Sequence, residues 1–219
     1  MTATINTKDY WPLFKHNGVI RYDYTGAKPD TAPLAAEIFY DAQRDSMVFK
    51  EFNVTADGKD EWRDTWYYRY VEGFGISEFR DDYPSPGSWW GDVKIVSLNP
   101  AIGWGDTVKI GDTYSNEPAF EPEECVPPQI AYGNQVVKFE RKYDEYQNAH
   151  GFWIDVVRFR YYQWWNGGQK GGAIYHFAPA RGPVTQQFLA VLQDGTEVYS
   201  DIYSATVKLI DWPKGEGEV

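Results

Sequence analysis

Apolar and polar residues alternate with a period of two along most of this chain, the spacing of a β-strand with one face in a core and the other toward water. Val19 to Thr25 (VIRYDYT) is the clearest run. Others cover Ala35 to Tyr40, Ser46 to Thr55, Glu61 to Val71, Ile76 to Arg80, Val93 to Leu98 and Gln135 to Arg141. Phe152 to Trp165, Ala173 to Phe177, Val184 to Leu192, Thr196 to Tyr203 and Val207 to Trp212 complete the set. Turn residues separate them: Asn17-Gly18, Asp57-Gly58 and Asp194-Gly195 suit the positive φ angles of tight hairpins, and Tyr143 to His150 reads as a connection. Nowhere does an apolar stripe recur at the roughly 3.6-residue period of a helix. The one helix candidate, Pro33 to Ala42, is short and overlaps a strand run. The pattern predicts an all-β protein, an antiparallel β-sandwich or barrel-like fold.

Gly151 to Phe188 supplies about three of these strands, with Pro179-Ala180-Arg181-Gly182-Pro183 interrupting the ladder between the last two. Setting Gly182 over Gly75, a separation of 182 − 75 = 107 residues, places Tyr175 on Tyr68, Phe177 on Tyr70 and Ala178 on Val71. Each copy is an aromatic strand, a kink and a Gly that lets the chain bend sharply into a second strand. The echo predicts two pseudo-repeated halves, 1–116 and 129–219, closing one compact core. Between them 117–128 (EPAFEPEECVPP) is acidic and Pro-rich, which predicts neither a helix nor a central strand.

The net charge of −11 and the lack of a Lys/Arg cluster argue against nucleic acid as a partner. No apolar run approaches the ~20 residues of a membrane span, and the opening MTATINTKDYW lacks the features of a signal peptide. A cytoplasmic protein, or a secreted or periplasmic one without its leader, is expected. Cys125 stands alone, so no intramolecular disulfide is possible, and it reads as a small buried or loop residue. His16, His150 and His176 share no metal-ligand spacing, and the acidic runs at Asp81-Asp82 and Glu121 to Glu124 lack calcium-loop spacing. Phosphate-loop, dinucleotide, zinc-protease and serine-hydrolase motifs are missing, so no metal or cofactor is expected.

Two segments carry a likeness. DYWPLFKHNGVIRYDYT, and GFWIDVVRFRYY with the Tyr175 to Val184 kink, resemble parts of uncharacterised bacterial β-rich, lipoprotein-associated domains with an aromatic-Pro-Leu opening. The likeness covers about a third of the chain, which departs from it in lacking a lipobox cysteine and in inserting Trp164-Trp165. It implies an all-β fold and brings no activity with it.

Aromatic residues make up 18 % of the chain, with 10 Trp and 17 Tyr, more than a core of this size readily hides. Neighbours in a strand face opposite ways, so Tyr67-Tyr68 and Trp164-Trp165 cannot both enter the core as pairs. Exposed rings framed by polar groups suit sugars. The first expectation is therefore a non-enzymatic carbohydrate-binding domain for a polysaccharide or oligosaccharide. Trp89, Trp90, Trp164 and Trp165 would be its stacking platforms, with His176 and Arg181 as polar contacts. The alternative is a lipocalin-like domain for a small apolar ligand, or a domain docking a partner protein. Trp104, in the Gly-flanked GWGDTVKIG, is expected to plug one end of the fold. No catalytic set is assigned. Asp155 draws attention because it lies in an apolar run on the face of Trp153 and Val157, as a glycan-active hydrolase or lyase would require.

Overall fold

In the computed structural model the described residues are 3–11, 18–71, 75–83, 93–101, 105–117, 119–122, 131–165, 168 and 170–210. The first half of the chain contributes β1 (Thr4–Asn6), β2 (Val19–Gly26), β3 (Leu34–Asp41), β4 (Ser46–Val54), β5 (Asp60–Val71), β6 (Gly75–Tyr83), β7 (Val93–Ala101), β8 (Thr107–Lys109) and β9 (Thr113–Asn116). Then follow β10 (Ala119–Pro122), β11 (Ala131–Gln147), β12 (Phe152–Trp165), β13 (Lys170–Ala178), β14 (Gly182–Val191), β15 (Glu197–Tyr199) and β16 (Tyr203–Ile210). The protein is all-β and antiparallel. Thr7–Tyr10 forms a single 3-10 turn capped by Asn6, and among the described residues no helix is long and apolar enough to cross a membrane.

The main sheet is a meander. Strands β2 to β7 pair in sequence, β11 to β14 do the same, and β16 joins the two runs by pairing with β14 on one side and β2 on the other. The β16–β2 ladder runs from Tyr203↔Gly26 to Ile210↔Val19, so residues far apart in sequence close the fold. At the far edge β10 pairs with β7 and touches β11 through Ala119↔Tyr132 and Phe120↔Ala131. That contact is two residue pairs long, and the sheet is not closed into a barrel.

The echo recurs in the ladders. Val71 pairs with Gly75 and Ala178 with Gly182, the same four-residue offset in both. Both glycines lie at positive φ, 82° and 70°. One buried cluster takes side chains from both runs: Ile20, Tyr22, Ile38 and Phe49 meet Phe139, Phe159 and Phe177 within it. Trp11, buried just after the 3-10 turn, stands between the runs, its ring 5.2 Å from Tyr68 on β5 and 5.1 Å from Phe177 on β13. A smaller cluster of Val156, Ala178 and Val184 collects Tyr143, Tyr146 and Trp153 around it.

Several expectations are corrected. Pro33 to Ala42 is no helix: β3 fills it, with Leu34, Ala36 and Ile38 buried, because its apolar residues follow the strand period. The connection expected at Tyr143 to His150 is mostly strand, since β11 runs to Gln147. The Pro-rich segment holds no central strand, as expected: β10 is a four-residue strand at the end of the sheet order, with Pro122 at its last position. The expected strand Thr196 to Tyr203 breaks at 200–202, where the Asp201 carboxylate accepts hydrogen bonds from the Lys28 amide at 2.9 Å and the Thr31 hydroxyl at 2.5 Å. Trp104 and Cys125 lie outside the described residues.

Gly58 and Gly75 share nearly the same φ, 79° and 82°, but a Cβ at Gly58 meets nothing within 4 Å whereas one at Gly75 falls 2.6 Å from the Gly105 backbone. Gly58→Ala is expected to cost about 1 kcal/mol from φ alone, and Gly75→Ala clearly more, in urea unfolding. Equal losses would show that the Gly75–Gly105 approach is not tight.

Candidate functional site

The inward faces of β4, β5 and β6 look across the interior at those of β12, β13 and β14, and they leave a cavity of about 370 Å3. Its existence follows from side-chain size on β13. Gly171, Gly172 and Ala173 line it, where the same strand further on carries Tyr175 and Phe177. Opposite Ala173 stands Tyr161, and opposite Gly171 stands Gln163. The small residues hold one wall back while aromatic rings form the rest.

Those rings arrive in cross-strand pairs. Phe49 faces Trp66 with ring centroids 5.6 Å apart, and Phe159 faces Tyr175 at 5.4 Å. Tyr68, in contact with Trp11, adds a third ring on β5. Tyr161 donates from its hydroxyl to the Gln163 side-chain oxygen at 2.5 Å and accepts from Gln135 at 3.1 Å, which fixes the phenol at the cavity wall.

Among these rings the cavity carries carboxyls. Glu51 lies directly opposite Asp64, and Glu78 directly opposite Tyr68. Glu51 and Glu78 are 4 % and 5 % exposed. Two bulges set this arrangement: Glu51 pairs with Asp64 but Phe52 with Trp62, so Arg63 is an extra residue on β5. Likewise Tyr67 pairs with Arg80 but Tyr68 with Glu78, so Phe79 is an extra residue on β6. A bulge re-aims the side chains around it. Arg63 is thereby turned to the cavity rim, 39 % exposed, with its guanidinium 3.8 Å from Glu51 and 5.1 Å from the Phe188 ring.

Burial outweighs Arg63 at Glu51. Desolvation, with a smaller push from Asp64, lifts its carboxyl to about 7. Glu78 is lifted to about 8 by desolvation, with the Asp64 charge adding to it. Among the described residues the Glu78 side chain makes no hydrogen bond or ion pair. Near neutral pH both groups hold their protons in part, poised to ionise if positive charge arrives.

Trp89 and Trp90 fall outside the described residues. Trp164 is half-buried on β12 with the Lys170 ammonium 5.0 Å above its ring; Trp165 belongs to the same strand. His176 stacks on Tyr146 at 4.6 Å, and burial, helped by Arg158, lowers its pKa to about 4. It is a neutral, packed side chain. Six residues of β13, about 20 Å, separate it from Lys170. Arg181 is exposed in the hairpin between β13 and β14, where its backbone carbonyl accepts from the Tyr22 hydroxyl at 2.5 Å. Trp164, His176 and Arg181 are not among the residues that line the cavity.

Asp155 is displaced from its expected face. Its φ of 55° breaks the alternation, and its half-exposed carboxylate pairs with Lys142 at 2.6 Å. Asp tolerates this left-handed geometry better than most residues. The signal that singled out Asp155 applies to Glu51 and Glu78 instead. Glu51 shares strand parity with Met47 and Phe49, and Glu78 with Ile76, so each acid sits on an apolar face of its run. Among the described residues no group of three His, Cys, Asp or Glu is placed to hold a metal ion. Comparison of the chain with protein-family models, with curated proteins and with solved structures finds no match.

These shifts give stability a pH profile with two limbs. For Glu51 and Glu78 the folded pKa exceeds the ordinary 4.5, so the folded state binds more protons and their contribution is lost as pH rises from 4.5 toward 8. For His176 the folded pKa lies below the ordinary 6.5, so its contribution is lost as pH falls from 6.5 toward 4. Between pH 6.5 and 8 the glutamates outweigh His176, each contributing up to ~1.4 kcal/mol per pH unit. Urea titrations over that window should show stability falling, and the Glu78→Gln variant should flatten the fall. Wild-type stability that is level or rising there would contradict these assignments.

Proposed function

We propose that this chain is a small-molecule-binding β protein whose ligand occupies the interior cavity between β4–β6 and β12–β14. The observation that carries this reading is the cavity itself. Its volume of about 370 Å3 lies within the range of about 300–1,000 Å3 common for ligand sites, and its aromatic walls with a few convergent polar groups have the usual make-up of one. Polar groups in an aromatic interior cost stability unless something satisfies them. Retaining the buried Glu51 and Glu78 there is best accounted for by a ligand that needs them.

Of the two expectations from sequence, the internal cavity gains support over the carbohydrate surface. Among the tryptophans whose side chains are described, Trp62 alone is exposed, while Trp11 and Trp66 are turned inward. A flat stacking platform needs the opposite arrangement.

N-phenyl-1-naphthylamine, an uncharged fluorophore that brightens in apolar cavities, provides the test. We expect saturable binding at one site per chain, and at least a tenfold loss of affinity in Ala173→Phe, where the added ring fills the cavity. Native-like circular dichroism of the variant would exclude misfolding as the cause. Failure of the wild type to bind the dye, or equal binding by the variant, would count against the cavity as the site.

A further inference from the structure

Resting on the cavity reading, we propose that the ligand is an organic cation: a primary amine whose ammonium group meets the Glu78 carboxylate, with its apolar body lying against Trp11, Trp66 and Tyr68.

Charge balance comes first. Two deeply buried carboxyls, Glu51 and Glu78, line the cavity, and among the described lining residues the cationic side chain is Arg63. Arg63 sits at the rim, partly in water, 3.8 Å from Glu51 and stacked on Phe188. A half-exposed guanidinium at that distance neutralises little. Glu78, on the neighbouring strand of β5, has no such partner among the described residues although it is 95 % buried and faces the cavity. A carboxyl in that position stays protonated or requires a cation.

The walls agree with the charge. Tyr68 lies directly across the ladder from Glu78, Trp66 is the next inward residue on β5, and Trp11 touches Tyr68. Ring faces attract an ammonium ion through their quadrupoles, and more strongly where water is excluded. Tyr68 therefore stands beside the carboxylate where the ammonium would sit, and Trp66 and Trp11 continue the wall for the apolar body. An anion would meet the opposite of both effects, and a neutral ligand would draw on neither.

The mechanism predicts a pH dependence of definite sign. Among the described residues Asp64 and Tyr68 face Glu78, while Tyr24, Arg63, Asp64 and Tyr175 face Glu51. Tyr24 and Tyr175 are held protonated by burial, so among these groups it is the glutamates that change over the neutral range. Amine binding should strengthen as pH rises through 7 to 8 and Glu78 ionises.

Isothermal titration calorimetry with 2-phenylethylamine, 2-phenylethanol and 3-phenylpropionate tests this on the whole chain. At pH 8.5 the amine is expected to bind at least tenfold more tightly than the alcohol, the carboxylate should not bind, and the amine should weaken at least tenfold by pH 6. In Glu78→Gln the amine-to-alcohol ratio should collapse toward one. Because this variant is nearly isosteric and the ratio is internal, a general loss of folding cannot mimic that result. Equal affinity for amine and alcohol, or preference for the carboxylate, would overturn the cation assignment while leaving the cavity as the site. Binding of N-phenyl-1-naphthylamine without any amine binding would do the same. If neither dye nor any of the three compounds binds, the cavity reading fails with it.

Discussion

Burying a carboxyl beside aromatic rings is the constraint on which this molecule turns. An ionised carboxylate moved out of water loses a solvation energy that only a partner charge or several hydrogen bonds can replace. On the outer faces the protein obeys this rule. Arg21 bridges Asp23, Glu37 and Asp60, Arg160 bridges Glu140 and Glu197, and Lys208 pairs with Asp23. Inside it does not. Glu51 has only a partly exposed arginine near it, and Glu78 stands without one among the described residues. The contrast between paired outside and unpaired inside locates the place where the chain accepts a stability cost.

The rest of the architecture can be read as the means of keeping that interior open. Two meanders, joined by the β16–β2 ladder, bring inward faces together from opposite ends of the sequence. Trp11 bridges them at one point through Tyr68 and Phe177, so the walls are held by contact there. The small side chains at Gly171 and Ala173 leave the space beside it unfilled. The β5 bulge turns Arg63 to the rim, and the β6 bulge brings Glu78 opposite Tyr68. A side chain larger than alanine at 173, or a regular ladder through β5, would close the space or reorient its polar groups.

Much of the fold was legible in the sequence because period-two alternation is a local property. β2, β4, β5 and β12 follow the runs that predict them, and the Gly75–Gly182 echo reappears as two strand pairings with the same four-residue offset. The site was less legible, for three physical reasons. Which aromatic residues face inward depends on bulges, which shift parity without a distinct sequence mark. A cavity is what remains between walls, and here it arises from small residues far from the acids they expose. Finally, the exposed-ring argument treats tryptophan surplus as surface, whereas Trp11 and Trp66 are spent on the interior. The parity argument was sound in kind. It pointed to Asp155, where a left-handed residue defeats it, and would have found Glu51 and Glu78 had it been applied to every strand.

The central claim is that the interior holds carboxyls without adequate counter-charge, and it can be tested without knowing any ligand. Carbon-13 NMR of the glutamate side-chain carboxyls, titrated from pH 3 to 10 and assigned through Glu51→Gln and Glu78→Gln, reads each group directly. The account predicts two glutamates that titrate near 7 and near 8, well above the ordinary value of about 4.3. Titration of every glutamate below about pH 5.5, little above that ordinary range, would mean that the two carboxyls are solvated or paired, and would contradict it.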